Sequence, residues 1–317
     1  MTVLVWGPAN DPPTELVLGA LAQRGADVAL VDPRDAAYHR VRATLADGAL
    51  DATLSIGGHD VSLAGLSGAY LRPIEVRPAS PSGDSRSLRA PSELGQASRF
   101  YQAMVDLTET LAFEGRVRVL NPLSAMSSNM SKPYQAQTIV QCGFSTPDTL
   151  LTDDPDEVKR FVARYPSAVY KSASGVRSIV SALADTDPAR MRLITWCPVQ
   201  FQERVDGFDV RVHVVGERTF AARVTSDALD YRYAGRQTGA NAELEAYTVR
   251  AEVGERCVQL AQRFGLPFAG IDLKFCTDGR VICFEVNPSP GFSYYELTTG
   301  LPIAAAVADQ LLGGRNA

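Results

Sequence analysis

The chain has 317 residues, 45% hydrophobic and 21% charged, ordinary for a soluble globular protein and long enough for two or three modest domains. A formal net charge of −5 gives no general attraction for nucleic acid or an anionic membrane, so any basic site must be local. Five cysteines without CxxC spacing and three scattered histidines indicate neither a disulfide framework nor a zinc site, and no apolar run approaches a membrane span of roughly 18 residues.

The N-terminus has no basic stretch before its short apolar run, so it reads as a buried strand, and a cytoplasmic location follows. Residues 3–6 and 27–32 are predicted strands around a helix over 13–24, which starts after Asp11-Pro12-Pro13 in the βαβ opening of a parallel sheet. The first turn lacks G-x-G-x-x-G, which argues against a dinucleotide site, and Asp32 reads as a strand-end turn residue. Tyr70-Leu71-Arg72-Pro73 ends a further strand, and residues 77–92, rich in Pro, Ser, Gly and Arg, read as a flexible or substrate-covering loop. A helix over 93–113 and a short strand over 117–120 lead to Asn121-Pro122.

From about residue 124 the texture changes. A helix over 131–142 is followed by one over 153–164, with acids early and bases late as the macrodipole favours. Strands are predicted over 168–172, 178–183, 199–205, 209–215 and 218–225, then a helix over 242–264, a hairpin and a closing helix over 301–312. No internal repeat is present. The fold class is α/β followed by α+β, divided at 1–123, 124–205 and 206–317.

Several segments carry candidate chemistry. Val169-Tyr170-Lys171-Ser172-Ala173-Ser174-Gly175 sets a lysine at a strand end before small residues, where backbone N–H groups and one ammonium can share phosphates. An ordinary surface turn fits the same pattern, and no Walker A sequence occurs. Lys132 opens a predicted helix, and Val199–Val205 and Gly207–Val212 read as two antiparallel strands, the second bearing the unusually charged face Asp209, Arg211, His213. Arg223 and Arg232 add cations of the kind phosphoryl transfer needs.

The richest stretch runs from Gly270 to Pro288. With Asp278-Gly279 as a two-residue hairpin loop, Asp272 lies opposite Glu285, and Asn287 follows on the same face. Leu273, Phe275, Ile282, Phe284 and Val286 then face a core. Facing carboxylates repel unless a positive group sits between them, so removing one charge is expected to relieve the free protein. Their oxygens suit Mg²⁺. A solvent-facing polar strand neutralised by Lys274 fits the same pattern, and a three-residue loop would slip the register.

Asp272, the turn, and Glu285-Val286-Asn287 followed by Pro288-Ser289-Pro290-Gly291 resemble the metal-binding end of ATP-grasp ligases. The branch is that of the ribosomal-protein S6 glutamate ligase and the graspetide (microviridin-type) peptide-cyclising synthetases. The resemblance implies an ATP-grasp fold with an N-terminal pre-ATP-grasp α/β domain. It implies Mg²⁺, with Mn²⁺ as a substitute, on Asp272, Glu285 and Asn287, and ATP phosphates on Lys132 and Lys171. Adenine would lie on Gln202, Glu203 and Val205 and ribose by Asp209, with Arg232 near the phosphates and Arg211 and Arg223 there or at the acceptor.

The implied reaction phosphorylates a carboxylate with ATP and lets a nucleophile displace the phosphate as an amide or ester forms. Tyr70–Pro73 and Thr149–Pro155 are more similar to the graspetide synthetases, which join side chains of a ribosomal peptide. Those enzymes often carry two adjacent arginines where this chain has only Arg72. Expected partners are ATP and an acidic precursor peptide met by Arg72, Arg77, Arg86 and Arg89, with a homodimer left open and neither nucleic acid nor membrane. The alternatives are a ligase for free amino acids or small acids, and a nucleotide-binding protein without ligase turnover.

Overall fold

The near-continuous apolar run of the first strand belongs in a parallel sheet covered on both faces. In the computed structural model, which describes residues 1–73, 91–172, 180–183, 191–226 and 242–313, that is its setting. Strand β1 (Thr2–Trp6) lies between β2 (Asp27–Val31) and β6 (Leu66–Leu71), with β7 (Arg118–Leu120) beside β6, all parallel. The helix Pro12–Gln23 starts at Asp11, whose carboxylate accepts from the Thr14 amide in an N-cap. Leu4 and Trp6 pack with Phe100 and Met104 of the helix Pro91–Glu114 on one face. Val3 and Val5 face Val17, Leu21 and the helix Ile303–Leu312 on the other.

Between β2 and β6 the chain inserts an antiparallel sheet that the apolar pattern does not announce. It consists of β3 (Arg40–Ala46), β4 (Ala49–Ile56) and β5 (His59–Ser62). Its signal is in the turns: Asp47-Gly48 (φ 50° and 76°) and Gly57-Gly58 (φ 58° and 84°) have the positive φ pairs of tight hairpins. A second antiparallel sheet comprises β8 (Thr149–Thr152), β9 (Val169–Ser172), β10 (Ser181–Ala182) and β11 (Val199–Gln202), in the order β10-β9-β11-β8. It packs on Val158 of the helix Pro155–Arg164.

The largest sheet is antiparallel in the order β14-β13-β12-β15-β16. Its strands are β12 (Gly207–Val215), β13 (Arg218–Thr225), β14 (Glu243–Tyr247), β15 (Phe268–Cys276) and β16 (Val281–Asn287). One face is sealed by Val253, Cys257 and Leu260 of the helix Ala251–Arg263. The sequence predicts helix from 242, but residues 243–247 pair with Ala221–Thr225 as an edge strand, so sheet pairing overrides local helix preference there.

The hairpin at β15–β16 departs from expectation in an instructive way. Cys276 N donates to Arg280 O (3.0 Å), so the loop is Thr277-Asp278-Gly279, three residues with Gly279 at φ 88°. The register slips by one, pairing Leu273 with Cys283 and Lys274 with Ile282. A bulge at Phe284 then restores it, so Asp272 faces Glu285 as expected. Cys283 and Val281 consequently take the core positions predicted for Phe284 and Ile282, and Phe284 turns to the cleft described below.

The outer edge of β16 is closed by side chains. The Gln135 amide donates to Val286 O (2.8 Å) and accepts from Val286 N (3.3 Å), and Cys283 N donates to Ser145 O (2.8 Å). Asn121 accepts from Phe268 N (2.9 Å) and donates to Phe268 O and Pro288 O, tying the first sheet to both hairpin strands. Among the described residues no helix is long and apolar enough to cross a membrane.

The C-terminal helix docks on the parallel sheet over Gly68, where an added Cβ would lie 2.4 Å from Leu311 O. Gly68→Ala should therefore cost about 1–3 kcal/mol by overpacking. Gly19→Ala meets nothing within 4 Å and should be neutral or stabilising by about 0.5–1 kcal/mol. Urea midpoints at unchanged slope would check both.

Candidate active site

The β8–β11 sheet and the large β12–β16 sheet meet at a cleft of about 470 Å³, and the chain crosses between them at residues 203–206. Gly207 makes that crossing close: at φ 151° its missing Cβ would lie 2.3 Å from Phe275 O. Of the expected residues, Lys171, Gln202, Glu203, Val205, Asp209, Arg223, Asp272 and Glu285 line the cleft. Val169 and Phe284 supply apolar wall. Gln202 is fixed by a hydrogen bond from its amide to Thr149 Oγ1 (3.0 Å), and Glu203 N donates to Asp148 O (2.9 Å).

The open face of the large sheet is arranged in cross-strand rows. Asp209 stands beside Lys274, Arg211 beside Asp272 and Glu285, and His213 beside Gly270 and Asn287. In the middle row each carboxylate has its own cation. Arg211 Nη1 meets Asp272 Oδ1 at 2.7 Å, and Lys132 Nζ meets Glu285 Oε2 at 3.0 Å. Lys132 also donates to Asn129 Oδ1 (2.9 Å). Arg211 is only 5% exposed, and its guanidinium crosses over Gly270, where a Cβ would lie 2.1 Å from Nη2.

The facing carboxylates are thus not a bare repulsive pair. The expected relief on removing one charge gives way to a penalty, because a buried cation would lose a charged partner. His213 is fully buried; burial, with Arg211 adding to it, holds its pKa well below the usual imidazole range and keeps it neutral at pH 7.

Asn287 lies on the same face, and its Oδ1 accepts from Ser289 N (2.9 Å), which shapes the Pro288-Ser289-Pro290 turn. Among the described residues no group of three His, Cys, Asp or Glu could hold a metal. A set of two carboxylates and one amide is nevertheless suitable for Mg²⁺, which usually binds one or two carboxylates and takes its other ligands from water and phosphate. The hard oxygen donors of Asp272, Glu285 and Asn287, on one sheet face, fit that ion.

Arg223 reaches only the rim. It lies across from Val210 on the helix-covered side, with its guanidinium 4.7 Å from the Phe208 ring centre and 3.4 Å from Glu245. That location follows from strand parity, which separates it from Asp209 and Arg211. Arg232, Arg77, Arg86 and Arg89 lie outside the described residues. Arg72 pairs with Asp11 (2.9 Å) and donates to Ser289 O (3.2 Å) and Pro290 O (3.1 Å). It therefore clamps the turn after the carboxylate strand, a role that the sequence did not reveal because its partners in that turn are more than 200 positions away. The Lys274–Asp209 ion pair, at 3.2 Å, was legible only as the charged face Asp209, Arg211, His213 along β12 and as Lys274 among neutralising charges on β15.

The profile of the RimK-like ATP-grasp domain matches residues 130–311. A probable alpha-L-glutamate ligase of Teredinibacter turnerae is 28% identical over 201 residues, 60% of this chain and 66% of that protein. Another, from an Enterobacter species, is 30% identical over 197 residues, 58% and 64% of the two chains. The chain thus spans just under two thirds of the length of these curated relatives. Among solved structures, the ATP-grasp ligase PsnB, complexed with a phosphomimetic variant of a minimal precursor, Mg and ADP, has a TM-score of 0.78 at 26% identity, over 98% of both chains. The macrocyclase MdnC from Microcystis aeruginosa, bound with the precursor peptide MdnA, has a TM-score of 0.78 at 23% identity, over 99% of this chain and 100% of that one, a likeness of fold.

Two predictions follow from the middle row. Asp272→Asn should take a charged partner from buried Arg211 and lower stability, on the order of 3 kcal/mol, instead of raising it; thermal or urea unfolding reads the sign. Gly270→Ala would set a Cβ 2.1 Å from Arg211 Nη2 and 2.8 Å from Pro290 Cβ, so both the guanidinium and the turn that follows Asn287 must shift. Any ATP turnover should then fall about 100-fold, as a small misplacement of a positioned group does, and ADP release measures it.

Proposed function

The chain belongs to the RimK-like ATP-grasp family, and from that premise we propose that it is an ATP- and Mg²⁺-dependent carboxylate ligase acting on an acidic peptide. The observation that carries this reading is the Asp272–Glu285 pair, cross-linked to Arg211 and Lys132 at one part of a cleft whose other part is the 203–206 crossing. In this reading adenine lies against Gln202, Glu203 and Val205, ribose by Asp209, and the phosphates between Lys171, Lys132 and the carboxylate row. Arg232 is the arginine near the phosphates, and Arg223 is a further cation there or at the acceptor. Residues 1–123, 124–205 and 206–317 act as the pre-ATP-grasp, lid and metal-binding portions.

Asp272, Glu285 and Asn287 would hold Mg²⁺, or Mn²⁺ in its place, which offsets phosphate charge when bound. The chain's own cations do the rest. Lys171 and Lys132 align the γ-phosphate for attack by a substrate carboxylate oxygen, with loss of ADP. Arg211, rigid on Asp272, presents fixed positive charge as the acyl phosphate forms. A hydroxyl or amine then attacks the acyl carbon, phosphate leaves, and the nucleophile gives up its proton. Each new bond removes one water from the peptide.

The PsnB complex with a precursor, at 26% identity over nearly the whole chain, favours a peptide as substrate. The relatives named as glutamate ligases favour a second reading, addition of free glutamate to an acceptor. Mass spectrometry separates the two. With ATP, Mg²⁺ and a Thr/Ser- and Asp/Glu-rich peptide encoded beside the gene, the expected result is loss of one water per ring. A mass gain of glutamate residues instead would decide for the second reading, and no ADP release with either would refute ligase activity on these acceptors.

The phosphate lysine has its own control. Lys171→Ala should weaken ATP binding about tenfold or more in calorimetry, as loss of a charged contact does. Lys159→Ala should not, since Lys159 is a 75%-exposed helix residue paired to surface Asp156. Equal affinities in the two variants would remove Lys171 from the site.

A further inference from the structure

Lys274 has no role in the reading above, yet it lines the cleft and makes an ion pair with the expected ribose acid. It sits directly across from Asp209 in the β12–β15 register, with its ammonium 3.2 Å from Oδ2. Both side chains are largely withdrawn from water, with 18% and 32% exposure. Its place along β15 fixes what it can reach. Asp272, Lys274 and Cys276 alternate on one strand face at a repeat of about 6.8 Å. The Asp272 end is the carboxylate row. Cys276 pairs with Gly207, the residue directly after the 203–206 crossing, which puts that crossing beside the other end. Lys274 therefore stands midway between the phosphate end and the adenine end of the cleft.

We propose that Lys274 is a ribose-positioning residue, whose ammonium holds the Asp209 carboxylate in the orientation that accepts a hydrogen bond from a ribose hydroxyl. This rests on the cleft being the ATP site. A carboxylate in a cleft floor must be both ionised and fixed to discriminate a hydroxyl from a hydrogen, and a site built that way rejects the analogue that lacks the group. An adjacent ammonium supplies both conditions across one strand pair, through a charge-assisted bond.

Calorimetric titration of the full chain with MgATP, Mg-2′-deoxy-ATP and Mg-3′-deoxy-ATP tests this without any acceptor. The wild-type chain should prefer ATP over at least one deoxy analogue by about tenfold or more. Lys274→Met should bind ATP about tenfold more weakly and lose that preference, while Lys274→Arg keeps it. Asp209→Asn should lose the preference to the same extent, and the double variant should show no further loss, because the two act as one unit. The Asp209→Asn and Lys274→Arg arms remain informative if thermal unfolding shows Lys274→Met to be misfolded. Equal weakening of ATP and both analogues in Lys274→Met, or a wild-type chain indifferent to both hydroxyls, would overturn the proposal and leave the ATP site standing. A wild-type chain that binds no nucleotide would overturn the ATP-site reading itself.

Discussion

Two carboxylates held face to face across a strand pair are the constraint on which the rest of this molecule turns. Asp272 and Glu285 could not share one sheet face without counter-charge. Arg211 and Lys132 provide it from two directions, one from the neighbouring strand and one from a helix start. Each cation makes its own demand on the sequence. Arg211 must cross β15, which only a residue without a side chain at Gly270 permits. Lys132 must be held above β16, and Gln135, one helical turn on, anchors that helix to the Val286 backbone. The amide that closes the sheet edge thus also sets the height of the lysine.

The same logic extends into the N-terminal sheet. β16 runs into Pro288-Ser289-Pro290, and this turn is gripped by Asn121 and Arg72, both from segments that end parallel strands. The C-terminal helix then packs between the two sheets, burying Val307 and Leu311 with Val5 and Phe268. The N-terminal sheet is therefore part of the carboxylate site's foundation. Changes at Arg72 or Asn121 act on the turn that follows Asn287, although neither side chain lines the cleft.

Much of this was readable in the sequence where the signal is local. The pairing of Asp272 with Glu285 follows from alternation around one turn, and the parallel opening follows from a short apolar run and a capped helix. The reading reached the right pair by a shorter path than the chain takes. A three-residue loop displaces the register, and the Phe284 bulge displaces it back. Two opposite one-residue errors cancel at the carboxylates and remain visible between them, where Ile282 and Phe284 exchange faces with Val281 and Cys283. A bulge has no sequence signature of its own unless glycine marks it, so this is where pattern reading has to fail. The β3–β5 insertion was missed because its outer strand is mostly exposed and has no clean apolar alternation; only its glycine turns mark it. Arg223 was grouped with Arg211 by charge, and strand parity, invisible to charge counting, separates them.

The electrostatics also explain how an acidic chain accommodates a polyanion's chemistry. Its cations at the cleft are not loose. Arg211, Lys132 and Lys274 are each engaged by a carboxylate at 2.7–3.2 Å. Such pairs gain little as stabilisers, since desolvation offsets most of their attraction. Their value lies in orientation: a guanidinium or ammonium fixed in a partly buried frame needs little rearrangement as charge develops beside it, which is where electrostatic preorganisation acts. The net charge of −5 is then compatible with anion chemistry. Asp209, Asp272 and Glu285 each aim a base, and in the proposed reading the last two are also oxygens that a divalent cation requires.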